Sequence, residues 1–259
     1  MAYEKRYMSA VLDFKRKVYA IRDLPTLPVI AQKVLLLADD DESSAEKLTA
    51  MISSDQSLSV KVLALANSAY YGYRAKIGTI RHAVIVIGTN MLKQLSLSVL
   101  VCGTMGKGGK DRTEFWRHSF GTATASSLIA KRTGISDGDV SFMAGLLHDI
   151  GQMVIDTHFP DEPGMEHTEV GAWMGERWQL PEPLINAIAF HHSLDEKHLE
   201  QPIVACVHAA DVCSKLALTD EQIVIAPPVL AALKLTEDDF VELVEEVRNR
   251  KTQMDRLLI

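Results

Sequence analysis

The chain has 259 residues, 47% hydrophobic and 24% charged, the composition of a soluble globular fold with room for a sizeable core. Its net charge of −7 is unevenly spread: 15 Lys and Arg face 9 Asp and Glu over residues 1–110, and 12 face 25 over residues 111–259. The positive part is too dilute to argue for nucleic-acid binding. No apolar run reaches the roughly 18 uncharged residues of a membrane span. Ala83 to Met105 comes nearest and is broken by Asn90, Lys93 and Gln94.

The elements are helical almost throughout, and no convincing run of strands is found. The N-terminus has charges but no apolar stretch or small-residue cleavage site, so no signal peptide is expected and a cytoplasmic location is. A first helix is predicted over residues 2–20. Asp23 to Pro28 stops it, because each proline disfavours helix in the residue before it. Val29 to Ala38 follows, then an acidic turn from Asp39 to Glu42. Ser43 or Ser44 can cap the next helix. Asp55 opens another that runs to Ala66 and gives way to the turn-rich Asn67 to Gly72. Ile80 to Ile87 is apolar, and Gly88 breaks it before Met91 to Val101. Gly103 to Lys110 is the clearest linker. It lacks the G-x-x-x-x-G-K-[ST] spacing of a phosphate loop.

Arg112 to Thr133 reads as one long helix ended by Gly134. Ser136 or Asp137 starts a buried helix that ends in His148-Asp149 and Gly151, with Gly151 as the C-cap if the pair simply faces water. Met165 to Trp178 is a further helix, and Pro181 begins one that reaches His191-His192. Pro202 to Leu218, Pro227 to Leu233 and a charged helix from about Thr236 complete the chain. Cys102, Cys206 and Cys213 are odd in number and lack metal spacing. They read as small core residues in a reducing compartment.

The helix ending in His148-Asp149 organises the rest. An apolar helix has no structural need to end in an imidazole and a carboxylate, which are costly near apolar surroundings. Upstream, Glu114 and His118 are four apart on one helix face. Downstream come His167, His191-His192 and Asp211, each on a predicted helix or at its end. Any one alone is more often structural: a surface pair, a helix-start histidine, a polar helix end, a carboxylate paired with Lys215. Together they are the donor set from which helical bundles build metal sites. Carboxylates supply charge and can bridge two cations, and neutral imidazole selects transition metals over magnesium or calcium. Two such metals can activate a water and clamp a phosphate displacement.

His118, His148-Asp149 and Asp211 match the H…HD…D arrangement of the HD superfamily of metal-dependent phosphohydrolases. More closely, the chain resembles the HDOD domain, the HD-related output domain of bacterial signalling proteins, from about Leu24 to about Leu216. The first half carries the resemblance in Leu24 to Pro28, Asp55 to Leu58, Leu65 to Gly72 and Ile80 to Gly88. The second half carries it in Gly145 to Gly151, His167 to Trp173, Trp178 to Pro183 and Ala187 to His192.

The resemblance implies an all-α, multi-helix bundle. An N-terminal helical subdomain (residues 1–105) would pack on an HD-like helical subdomain (residues 106–259). It also implies a signal-transduction module, generally non-catalytic, with a signalling protein as partner. Glu114, His118, His148, Asp149, His167, His191, His192 and Asp211 look like the ligand pattern of HD-GYP phosphodiesterases. That likeness implies one or two ions of iron, manganese, nickel or zinc. The alternative it raises is a phosphohydrolase acting on nucleotides or cyclic dinucleotides, with Asp149 as metal bridge. Two departures weigh against that activity. Gln152 replaces the lysine that follows the HD-x-G motif, removing a cation placed to meet phosphate charge. Ser193 to Glu196 stand where Gly-Tyr-Pro is expected. Lys215 could substitute a charge, although a solvent-exposed lysine is the plainer reading. His198 is expected to be exposed and indifferent to metal.

Overall fold

The computed structural model describes residues 2–21, 33–34, 42–66, 77–90, 92–94, 96, 110–162, 164–219 and 221–250. Every element among them is a helix: α1 (Ala2–Ala20), α2 (Glu42–Ser53), α3 (Gln56–Ala66), α4 (Ile80–Ile87), α5 (Lys110–Thr133), α6 (Gly138–Leu147), α7 (Ile150–His158), α8 (His167–Arg177), α9 (Glu182–Phe190), α10 (Glu196–Leu199), α11 (Pro202–Leu218), α12 (Pro227–Leu233) and α13 (Glu237–Asn249). Most of the helix expected at Val29 to Ala38, the turn Asn67 to Gly72, most of Met91 to Val101, Cys102 and the linker up to Gly109 lie outside the described residues.

Local chemistry sets the boundaries. The Asp55 carboxylate accepts from Leu58 N–H at 3.0 Å and opens α3. The Thr79 hydroxyl does the same for α4, through His82 N–H at 3.1 Å. Asp137 accepts from the N–H groups of Asp139 and Val140, at 2.8 and 2.9 Å, and opens α6. Proline stands in the first turn of α9, α11 and α12. A reciprocal pair between Thr236 and Asp239 opens α13.

The structure departs from expectation at several helix starts. The first such place is α2, which starts at Glu42, ahead of both serines, and α8 starts at His167 rather than Met165. Both α7 and α10 are absent from the sequence reading. The chain does not leave the helix for good at Gly151. It bends once at Asp149 (φ −99°, ψ 15°) and resumes as α7. Gly151 is therefore no cap, and its missing side chain serves packing instead. A Cβ there would collide with the His167 carbonyl and lie 2.5 Å from the Gly171 nitrogen, so only glycine lets α7 and α8 cross this closely. Gly145 does the same one helix earlier, where a Cβ would lie 2.7 Å from the Thr122 carbonyl of α5. These two contacts draw α5, α6, α7 and α8 together around residues 148 and 149.

The core is continuous across the middle of the chain. Phe14, Val18, Leu48, Ile52, Val62 and Leu92 join Met143, Leu147, Val170, Met174, Ile188 and Val204 in one buried cluster. A second cluster lies around α11, where Cys206, Ala209 and Cys213 pack against Ile129, Leu233, Leu243 and Val247. Burial holds both thiols up at about 12, in keeping with the core role expected for them. On the surface α1 docks on α8. Lys15 pairs with Glu176 at 2.9 Å, and the Arg177 guanidinium donates to the carbonyls of Val18, Tyr19 and Ile21 at 3.3–3.4 Å. Such exposed pairs contribute on the order of 0–1 kcal/mol each. Apolar contact adds to these pairs where Phe14 of α1 packs on Phe159 at the end of α7, with ring centroids 4.5 Å apart. Among the described residues no helix is long and apolar enough to cross a membrane.

Candidate metal centre

Five helices deliver the site. His118 projects from the middle of α5, His148 ends α6 and Asp149 stands at the bend before α7. His167 opens α8, His191 ends α9 with His192 beside it, and Asp211 lies in α11.

Asp149 is the hinge of the geometry. Its Oδ2 lies 3.5 Å from His118 Nε2 and 3.2 Å from His148 Nε2. Its Oδ1 lies 3.2 Å from His167 Nε2 and 3.4 Å from His191 Nε2. Two groups of donors result, one of His118, His148 and Asp149, the other of Asp149, His167, His191 and His192. Asp211 joins the first through Oδ1, 3.1 Å from His118 Nε2 and 3.8 Å from His148 Nε2. Glu114 joins neither. It lies one turn before His118 but is exposed. Spacing alone predicted a shared helix face and could not say how far along that face the pocket extends.

The far side of each imidazole fixes which nitrogen faces the pocket. His148 Nδ1 donates to the Gly145 carbonyl at 2.8 Å and His191 Nδ1 to the Ile188 carbonyl at 2.9 Å, so each Nε2 presents a lone pair. His118 Nδ1 lies 3.4 Å from the Ser214 hydroxyl. His208 Nδ1 donates to the His191 carbonyl at 2.7 Å and ties the doublet to α11. Sequence reasoning missed His208 and Ser214. Both lie three residues from Asp211, so helical spacing was the available signal.

A cation belongs in this arrangement. His118 and His148 bring Nε2 atoms to 3.1 Å, and His167 and His191 to 3.3 Å. Either one nitrogen of each pair carries a proton and donates to the other, or a cation lies between two lone pairs that would otherwise repel. Asp211 Oδ1 is buried 3.1 Å from His118 Nε2, a position in which a carboxylate oxygen is stable only when a proton or a cation faces it.

The titration of the groups agrees. Burial pulls the His118 imidazole down, but hydrogen bonds and charge from Asp149 and Asp211 overcome it and raise it to about 9. In the absence of metal a proton there is the positive charge. Burial pushes the Asp149 carboxyl up, and the facing imidazoles, His148 first, hold it far below the usual carboxylate range. Asp211 follows the same pattern, with His118 first and Lys215 contributing. Burial lowers His191, and burial with the neighbouring His191 lowers His192 to about 4. Both are thus neutral and in the ligating form at pH 7. The residues present fit a bound metal ion.

Two expectations fail here. Lys215 is not simply solvent-exposed: its Nζ lies 2.8 Å from Asp211 Oδ2, with 28% of the side chain accessible. His198 is not exposed either. It stacks on Phe190 with ring centroids 4.0 Å apart and bonds the Ser193 hydroxyl at 2.7 Å. The Asp211–Lys215 pair is one helical turn apart and follows from period, whereas the contacts of His198 come from the turn at Ser193, which period does not reveal. Gln152 directs its side-chain amide to Asp156 at 2.7 Å.

Comparison with known proteins agrees with this architecture. A model of the HDOD domain matches residues 24–164, more than half of the chain, and one of the HD domain matches residues 115–216. An uncharacterized protein of Treponema pallidum (strain Nichols) is 28% identical over 219 residues, 74% of this chain and 42% of that protein. Ribonuclease Y of Aquifex aeolicus (strain VF5) is 38% identical over 97 residues, 38% of this chain and 16% of that enzyme. The chain thus spans less than half the length of these curated relatives. The crystal structure of an HDOD domain protein from Geobacter sulfurreducens superposes with a TM-score of 0.78 at 25% identity, covering 97% of this chain and 98% of that one. Sequence, fold and site together place the chain in the HDOD family.

Proposed function

We propose that this chain is an output module of bacterial signalling built around a two-metal HD centre, and that the centre hydrolyses phosphoesters. One position takes His118, His148, Asp149 and Asp211, the other Asp149, His167, His191 and His192, with iron, manganese, nickel or zinc as the metal. The observation that carries this reading is the Asp149 carboxylate, whose two oxygens each face a separate imidazole pair at 3.2–3.5 Å.

Bound metals supply Lewis acidity and an activated water for in-line attack on phosphorus. The chain's own residues do the rest. Asp149 holds the two positions at a fixed separation. The bonds from Nδ1 of His148 and His191 keep those rings from turning. His148 and His191 are fully buried while His118, Asp149, His167 and His192 keep part of their surface open, so a ligand can approach from one side. The ribonuclease among the relatives makes a phosphodiester the first substrate class to test, with cyclic dinucleotides and nucleotides beside it.

A second reading keeps the metals and drops the catalysis. It is favoured by the position of Gln152, turned along α7 to Asp156, where a cation is expected in HD-GYP enzymes. It is also favoured by the shared core of the two halves. In this reading residues 1–105 and 106–259 are subdomains that pass a binding event to a signalling partner in the cytoplasm.

The metal-loaded protein is assayed with a generic phosphodiester, cyclic dinucleotides, nucleotides and short RNA. Turnover of any of them that disappears in Asp149→Asn supports the enzyme. Full metal occupancy with no turnover supports the second reading, and failure to take up any transition metal refutes both.

A further inference from the structure

Lys215 occupies a position that metal binding alone does not explain. Its ammonium lies 2.8 Å from Asp211 Oδ2, while the other oxygen of that carboxylate faces His118 and His148. Like charges repel, so a cation one carboxylate away from a divalent ion weakens the binding of that ion. The same cation strengthens the binding of any anion that touches both.

The surroundings favour an anion. His192 Nδ1 lies 3.9 Å from the same Asp211 oxygen, so the lysine and the most open imidazole of the cluster, 46% accessible, flank one point on the rim. Two divalent ions held by only two carboxylates carry excess positive charge, and Lys215 adds to it. Gln152, in the position where HD-GYP enzymes carry a lysine, bonds Asp156 and brings no charge.

We propose that Lys215 binds a non-bridging oxygen of a phosphate group seated on the metal centre, and so fixes the substrate as a phosphate-bearing anion. The proposal rests on the two-metal reading above. Lys215 would then exchange part of its bond to Asp211 for the phosphate, a short movement for a flexible side chain that is already partly accessible.

The test uses the manganese-loaded protein and inorganic phosphate, measured by calorimetry, with metal affinity measured separately. Lys215→Met is expected to hold manganese as tightly as the native protein or more so, and to bind phosphate about 10- to 100-fold more weakly. Lys215→Arg keeps the charge and is expected to recover most of that loss, which also guards against a misfolded methionine variant. Unchanged phosphate affinity in Lys215→Met overturns the proposal. So does a loss of manganese in Lys215→Met that Lys215→Arg restores, because Lys215 then acts on Asp211 and not on phosphate. Failure of the native protein to bind manganese is a different result and removes the two-metal reading itself.

Discussion

Gly151→Ala tests whether helix packing sets the metal geometry. The added methyl group meets backbone atoms on α8, the His167 carbonyl and the Gly171 nitrogen, with the latter at 2.5 Å. Backbone cannot rotate away as a side chain can, and ordinary contact needs about 3.4 Å or more. The crossing of α7 and α8 must therefore open by more than about 1 Å, because the His167 carbonyl lies nearer still. Overpacking of this kind costs typically 1–3 kcal/mol, and a backbone collision belongs at the upper end. For a chain of this size about 3 kcal/mol lowers the melting temperature by roughly 6–12 °C. His167 moves with α8, away from Asp149 Oδ1, now 3.2 Å from it. The position shared by His167, His191 and His192 should weaken, while that of His118, His148 and Asp211 should not. Thermal unfolding followed by circular dichroism measures the first effect, and a metal titration of the folded variant the second. A variant that melts with the native protein and binds metal identically would show that the two helices do not cross this closely.

Three further outcomes are expected. In the metal-free protein His118 titrates at about 9, above its ordinary 6.5, so its contribution to stability is complete below pH 6.5 and lost as pH rises toward 9. Chelator-treated protein should melt at lower temperature at pH 9 than at pH 6.5, and apparent metal affinity should rise over the same interval because a proton must leave. Asp137→Ala removes the acceptor for two N–H groups at the start of α6. It should cost about 1–2 kcal/mol in a denaturant titration without changing metal stoichiometry. Cys206 and Cys213, buried and held at about 12, should resist iodoacetamide in the folded protein and react once it is unfolded, as read by peptide mass spectrometry.

What could be read from the sequence was local chemistry. Pro202, Pro227, Asp137, Gly134 and Thr236 mark helix ends because proline, caps and left-handed glycine act within a few residues of themselves. The donor set was legible because imidazoles and carboxylates at buried helix ends have few structural uses. Contacts made across the fold were not legible. Gly151 looked like a stop and is a crossing point, a role visible only when α8 is in place. Glu114 shares a helix face with His118 yet is exposed and falls in neither donor group. The pairing of Lys215 with Asp211 is legible one turn apart on a helix, but the approach of the other Asp211 oxygen to the histidines is not. His198 is expected to be exposed, but the turn at Ser193 folds it onto Phe190.

The most direct measurement is metal stoichiometry on native protein and on Asp149→Ala, by elemental analysis after loading with manganese or iron. A bridging Asp149 predicts two ions per chain in the native protein and weakened binding at both positions in the variant. Two ions retained in Asp149→Ala with native affinity, or a native protein that never exceeds one, would contradict it.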